Sequence, residues 1–265
     1  MHVYIYDDFV NKKKYDKLLA QVEIRVTDLG LGGKIIRLDV MKNIQEAVAG
    51  EIKRGAKTII AVGNDQTVSK IINVMASLKS GQLYGTKTCL AVIPVGESDN
   101  LIARALGIND SEDACNTLSS RRIEEVYLGQ VQSDSQGGQK GFAYFLTQAK
   151  IKSQGTTLDI NKDCSLEIME SGQIQVINLS VFEQLPENIQ ASPQDKTLEL
   201  FIETKKSSFN IKPALNQSFF SIKKLTVLNP KAPLLLDNSL AVPTPAEITV
   251  AEKKLSIIVG KGRRF

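Results

Sequence analysis

Two short turns, about thirty residues apart, constrain this chain more than anything else in it, because each stands where an apolar strand hands over to a helix. The first, Gly63-Asn64-Asp65-Gln66-Thr67, follows Thr58-Ile59-Ile60-Ala61-Val62. The second, Gly96-Glu97-Ser98-Asp99-Asn100, follows Leu90-Ala91-Val92-Ile93-Pro94-Val95 and runs into Leu101-Ile102-Ala103-Arg104-Ala105-Leu106-Gly107-Ile108. In open α/β sheets, ligands bind outside the carboxyl ends of the strands, where helix N-termini offer free backbone N–H groups to phosphate. Two such turns on neighbouring strands would make one anion-binding crevice.

The first 110 residues alternate strands and helices throughout. His2 to Tyr6 and Lys34 to Val40 read as strands, with a ragged helix from Lys14 to Val26 between them. Asn43-Ile44-Gln45-Glu46 resembles a capping box and opens a helix that Gly55 stops. Val68, Ile71, Ile72, Met75 and Leu78 follow the spacing of an amphipathic helix. Four strands with crossover helices predict a parallel sheet covered on both faces. Gly30-Leu31-Gly32-Gly33-Lys34 precedes a strand instead of following one, so it reads as a helix stop and tight turn, not as a phosphate cradle.

From about Arg122 the pattern changes to short alternating runs. Leu166 and Ile168, then Ile174 and Val176, alternate around Glu170-Ser171-Gly172, which reads as a hairpin. Leu198, Leu200 and Ile202 alternate, as do stretches near Phe219 to Leu228 and Leu255 to Val259. The predicted fold is therefore an N-terminal α/β domain with a parallel nucleotide-binding-type sheet, residues 1–120, and a C-terminal antiparallel β-sandwich or barrel, residues 121–265.

Composition narrows the functional classes. No run of eighteen apolar residues is present, so no membrane span is expected. Met1 to Asp8 lacks a basic n-region, and the three cysteines with one histidine (His2) form neither a disulfide framework nor a zinc pattern. A reducing cytoplasm is the expected compartment. The net charge of +4 is carried partly by pairs such as Lys205-Lys206 and Lys223-Lys224. Such pairs are ordinary solvated surface or, at an anionic membrane, worth up to about 1 kcal/mol per well-placed residue. No aromatic residues interleave with them in a nucleic-acid-binding pattern, so nucleic acid is not an expected partner.

The two turns resemble the Gly-Gly-Asp-Gly-Thr and Pro-Leu-Gly-Thr-Gly-Asn-Asp…Ala-Arg…Leu-Gly-Ile motifs of diacylglycerol kinase-type lipid kinases. Gly63, Asp65 and Thr67 stand in place, with Asn64 and Gln66 where that family has glycine. Pro94, Gly96, Ala103, Arg104, Leu106, Gly107 and Ile108 fit the second motif, whereas Glu97 replaces threonine and Asp99-Asn100 reverses the Asn-Asp order. The family's layout, an α/β nucleotide domain followed by a β domain with the active site between them, extends the resemblance over nearly the whole chain. Two fainter matches lie in the second half. Asp195, in Pro193-Gln194-Asp195-Lys196-Thr197-Leu198, resembles an Asp that helps to hold a structural Mg²⁺. Asp237-Asn238-Ser239 resembles an Asp-Gly-Glu whose Asp is the general base on the acceptor hydroxyl, with Ser239 in place of the supporting acid. Family members also carry a helical segment where Lys152 to Gln173 here reads as loop and hairpin.

The resemblance implies ATP and Mg²⁺ as cofactors. ATP would lie across Gly63, Asn64, Asp65, Gln66, Thr67, Gly96, Glu97 and Ser98. Asp99, Asn100 and Arg104 would be near the acceptor, and Asp237 would be catalytic. The implied activity is phosphotransfer to a lipid hydroxyl of diacylglycerol or sphingoid type, by a cytoplasmic protein peripheral to the inner membrane surface, with the oligomeric state open to a homodimer. The eroded glycines, Glu97 and Ser239 favour an alternative, a kinase-like nucleotide- or lipid-binding regulatory protein that has lost turnover. An NAD-kinase-like enzyme fits less well, because Pro94 to Ile108 has the lipid kinase form. Residue by residue, plainer roles compete: Asp65 or Thr67 as the cap of the following helix, Arg104 as a solvent-facing helix residue, and Asp195 as a turn residue.

Overall fold

Every residue of Thr58–Gly63 and of Cys89–Pro94 is buried, the pattern of strands covered on both faces. The structure, a computed structural model, describes residues 1–39, 43–78, 88–96, 100–134, 140–180, 191–206, 214–263 and 265. In chain order the first part contains β1 (His2–Tyr6), α1 (Asp16–Asp28), β2 (Gly33–Arg37), α2 (Ile44–Lys53), β3 (Thr58–Gly63), α3 (Asp65–Ser77), β4 (Cys89–Pro94), α4 (Leu101–Ala105), α5 (Ser111–Ser120) and β5 (Ile123–Val126). Strands alone follow among the described residues: β6 (Gly129–Asp134), β7 (Lys140–Phe145), β8 (Gln148–Lys152), β9 (Thr156–Ile160), β10 (Cys164–Ile168) and β11 (Gly172–Ile177). After them come β12 (Leu198–Lys206), β13 (Ala214–Ile222), β14 (Lys224–Leu228), β15 (Leu234–Leu236), β16 (Leu240–Val242), β17 (Ala246–Val250) and β18 (Leu255–Ile258). No described helix is long and apolar enough to cross a membrane.

The chain divides into two units. The first holds Met1–Val126 and the segment that begins at Lys254, built on a sheet of order β2-β1-β3-β4-β18-β5. Its first four strands and β18 run parallel, while β5 joins antiparallel. Helix α2 packs on α3, and α1 packs on α5. Asn43 caps α2 through its side chain, and Gly30 (φ 66°) and Gly55 (φ 85°) follow the ends of α1 and α2 in the left-handed conformation that suits glycine.

Residues 254 onward were expected in the β domain, yet β18 is inserted between β4 and β5 of the first sheet. Its residues Leu255–Ile258 are fully buried, so the run reads the same in either sheet. Behind it the chain passes Gly107 at backbone contact: Gly260 N–H donates to Leu106 O (2.8 Å), and Arg263 pairs with Glu124 (2.6 Å). A Cβ on Gly260 would lie 1.9 Å from Gly107 O. Gly260→Ala is therefore expected to destabilise the first unit by roughly 1–3 kcal/mol, the usual range for overpacking, read as a lowered urea midpoint at unchanged slope.

The second unit holds Tyr127–Ser180 and the described residues from Ala191 to Lys253. Two antiparallel sheets, β10-β9-β14-β17-β6-β7 and β13-β12-β11-β8-β15-β16, share one apolar core. Phe145, Leu158, Leu225 and Ile248 come from one sheet, and Ile174, Val176, Leu200 and Leu236 from the other. This is a sandwich. The hairpin expected at Glu170-Ser171-Gly172 is not one, because β10 pairs with β9 whereas β11 pairs with β8 and β12 in the opposite sheet. Gly172 is there for close approach instead, since a Cβ would meet Glu203 O at 2.0 Å. The real hairpin joins β9 to β10 through Asn161 and Lys162, both left-handed (φ 52° and 67°).

Candidate functional site

The order β2-β1-β3-β4 reverses direction between β1 and β3, and it is beyond the carboxyl ends at such a reversal that doubly wound sheets bind ligands. Asp7 and Phe9 follow β1 there, Gly63 ends β3 and Asn64 to Thr67 follow it, and Val95 and Gly96 follow β4. Backbone bonds tie the ends together: Asp7 N–H donates to Val62 O (3.2 Å) and Val95 N–H to Gly63 O (2.9 Å).

Gly63 is required by the turn of chain above it, since a Cβ would lie 2.3 Å from Thr67 Oγ1. Asn64, at the second motif glycine, is extended (φ −97°) and caps α3, its Oδ1 accepting from Thr67 N–H (3.2 Å). Asparagine thus serves this position as a helix cap, on an extended and not a left-handed backbone. Gln66 points to solvent. Thr67 is fully buried and its hydroxyl donates to Asp7 Oδ2 (2.6 Å). Gly96 takes φ 131°, open to glycine, and an added Cβ would touch the Phe9 ring at 3.6 Å and Asn64 Cβ at 3.7 Å.

Asp65 does something the sequence did not suggest. It stands in the first turn of α3, but its carboxylate reaches the start of α4, accepting from Leu101 N–H at Oδ2 (2.9 Å) and Ile102 N–H at Oδ1 (3.0 Å). Asn100, the residue preceding α4, makes no side-chain cap bond of its own. One carboxylate therefore caps the second motif's helix from within the first motif, and fixes the spacing of the two turns. Arg104 lies exposed on α4. Glu97, Ser98 and Asp99 fall outside the described residues.

In the second unit, Asp237 is buried (2% exposed) in the turn between β15 and β16, with φ 46° there and 55° at Asn238. Asn238 thus occupies the left-handed position where the family motif has glycine, a conformation asparagine tolerates well. Four donors from the turn between β7 and β8 engage the Asp237 carboxylate. Leu146 N–H reaches Oδ2 (2.9 Å), while Thr147 N–H (2.8 Å), Thr147 Oγ1 (2.6 Å) and Gln148 N–H (3.1 Å) reach Oδ1. Burial pushes its pKa above the usual carboxylate range, against the four donors that hold it down. Ser239 N–H closes the turn on Leu236 O (2.8 Å). Asp195 lies in an exposed turn and accepts from Thr197 N–H (2.9 Å) and Oγ1 (2.7 Å), the geometry of a local Asx turn.

Magnesium finds no protein-built cage among the described residues, where no group of three His, Cys, Asp or Glu side chains could hold a metal. Both Asp65 oxygens already accept backbone bonds, and Asp195 Oδ1 accepts two. Sequence reasoning passed over Asp7 and Phe9. The available signal was their position directly after β1, where the chain leaves the sheet at the reversal.

Residues 2–131 match the family model of the diacylglycerol kinase catalytic domain, a span that contains both turns, the Asp65 bridge and the whole reversal point. That match assigns residues 2–131 to the diacylglycerol kinase catalytic domain family. The two-unit fold agrees with it. A diacylglycerol kinase from Bacillus anthracis strain Sterne superposes with a TM-score of 0.70 at 17% identity, over 98% of this chain and 97% of that one. A second structure from the same organism superposes at a TM-score of 0.71 and 16% identity over the same shares. Among individually curated proteins, no sequence matches significantly. Against the lipid kinase motif, this diacylglycerol kinase-type chain keeps the residues that build the turns (Gly63, Asp65, Thr67, Gly96, Gly107) and changes Asn64 and Gln66, which flank Asp65.

Proposed function

We propose that this diacylglycerol kinase-type protein binds ATP at the paired turns of its first unit and transfers the terminal phosphate to a lipid hydroxyl. The Asp65 bridge carries the proposal, because a carboxylate in one motif that caps the helix of the other holds both turns as a single unit beside the β1/β3 reversal. Gly63 lets Thr67 close down on the end of β3, and Gly96 lets the chain pass Phe9 and Asn64 at close range, so both glycines shape the turns. Phosphoryl transfer asks for positioning and charge stabilisation more than for covalent participation of the protein. The backbone N–H groups of the turns would supply part of that. Asp7 and Asp65, both beside the turns, oppose an unaccompanied anion, so the nucleotide is expected to bind as its magnesium complex.

A second reading, a nucleotide- or lipid-binding protein without turnover, is favoured by one observation. The carboxylate that the family resemblance names as general base, Asp237, is buried with both oxygens engaged by backbone and Thr147. Oδ2 accepts from Leu146 N–H alone and keeps a lone pair, but a hydroxyl would have to enter a buried site to reach it.

The kinase reading and the nucleotide-binding form of the second predict that Mg-ATP raises the melting temperature, by the equivalent of about 2.7 kcal/mol at a hundred times Kd. Turnover separates them. The double variant Asn238→Gly, Ser239→Glu should raise phosphorylation of diacylglycerol or sphingoid acceptors above the wild-type rate, and the left-handed backbone at Asn238 accepts glycine without strain. Nucleotide binding without turnover in either protein would establish the second reading. No thermal response to Mg-ATP would sink the kinase reading and leave only lipid binding of the second.

A further inference from the structure

Strand β13 is the outermost strand of its sheet, and among the described residues no strand pairs with its free side. Such an edge is a template for another strand, and proteins commonly guard theirs with charge or by keeping them short. The other sheet edges follow that practice: β2 carries Lys34 and Arg37, β5 Glu124 and Glu125, β7 Lys140 and β10 Glu167, while β16 has three residues. Strand β13 does neither. Its nine residues, Ala214 to Ile222, include no charged side chain. Leu215 is 55% exposed, and Phe219 and Phe220 are each 37% exposed.

We propose that β13 pairs antiparallel with β13 of a second copy of this chain, joining two sheets across a two-fold axis at Ser218. Centred there, the pairing uses the whole uncharged run. Ser218 meets its own counterpart, Gln217 faces Phe219, Asn216 faces Phe220, Leu215 faces Ser221 and Ala214 faces Ile222. No like charges oppose one another in this register, and Pro213, which has no N–H to donate, bounds the run at one end as Lys223 does at the other. A strand is the occupant to expect because Phe219 and Phe220, as successive residues, project to opposite faces of the sheet. Their cross-strand neighbours on β12 are Phe201 and Leu200, on opposite sides likewise. A bilayer surface would cover one face only, whereas a paired strand covers both edges of the pleat and takes up the free backbone groups. Nine residues a side make a small interface, so the dimer should form and dissociate with protein concentration.

Sedimentation velocity from about 1 to about 200 µM protein should show the mass moving from 29.1 kDa toward twice that value. Ser218→Lys places two ammonium groups on the two-fold axis. It should keep the protein monomeric throughout, with a melting temperature at low concentration within about 2 °C of wild type, as for an exposed substitution. Ser218→Cys in a Cys164→Ser background, which removes the exposed native thiol, should give a disulfide-linked dimer on mild oxidation. Wild-type monomer at every concentration would overturn the proposal, as would a dimer that survives Ser218→Lys. So would a monomer whose binding to phosphatidylglycerol vesicles is lost in Phe219→Ser, Phe220→Ser, since the edge would then serve a membrane.

Discussion

Replacing Asp65 with alanine is expected to lower the melting temperature by about 4–10 °C, a loss of roughly 2–3 kcal/mol, even without nucleotide present. The side chain accepts from two backbone donors at the start of α4, and neither donor has another cap in view. Asp65→Asn should lose about half as much, because its carbonyl oxygen still serves one of the two. Under the proposed function both variants also lose most of the thermal response to Mg-ATP, since the second turn no longer holds its place against the first. Differential scanning calorimetry with and without Mg-ATP reads both effects at once. A lowered transition with an intact nucleotide response would make Asp65 a cap and nothing more. An unchanged transition would contradict the bridge itself.

Asp237→Asn should cost the second unit roughly 2–4 kcal/mol, because the amide nitrogen would turn a donor toward Leu146 N–H in a buried site. Asp237→Ala should cost more. It leaves three backbone N–H groups without their acceptor and places alanine at φ 46°. This makes activity loss in Asp237→Asn ambiguous unless it is expressed per folded molecule. Thr147→Val provides the comparison, since it removes one donor but leaves the carboxylate. If Asp237 is the general base, Asp237→Asn lowers turnover per folded molecule by roughly 10²–10⁴-fold, while Thr147→Val acts mainly on stability. Equal, modest losses in both variants would assign the carboxylate to the architecture of the turns.

The first unit was legible because its central strands, β3 and β4, are buried on both faces and so appear as unbroken apolar runs ending at glycine-led turns. The second unit was legible as β structure, but not in its pairing. Gly172 looked like a turn glycine, whereas it is needed for passage against Glu203. The actual turn residues, Asn161 and Lys162, carry no glycine at all. The site divided along the same line. Glycines in a motif can be read locally, but the partners of Asp65 lie 36 and 37 residues further on, and those of Asp237 lie 89 to 91 residues back. A carboxylate that accepts backbone bonds leaves no periodic mark in sequence. Neither does the destination of β18, whose apolar run would suit either unit.

That last strand has a bearing on how the protein is made. The entire second unit is threaded between β5 and β18, two strands that lie side by side in the first sheet. During synthesis β4 and β5 emerge early, yet the strand that separates them follows only after some 130 further residues have been added. Until then the first unit has a gap in its sheet, with β4 lacking a neighbour on that side. An enclosed, independently completed sandwich would bring the two ends of the inserted segment to fixed positions and so shorten the search for that gap. The first unit is thus expected to wait on its insert, and ribosome-bound chains stopped before Leu255 should remain sensitive to protease in residues 1–126 after the sandwich has become resistant.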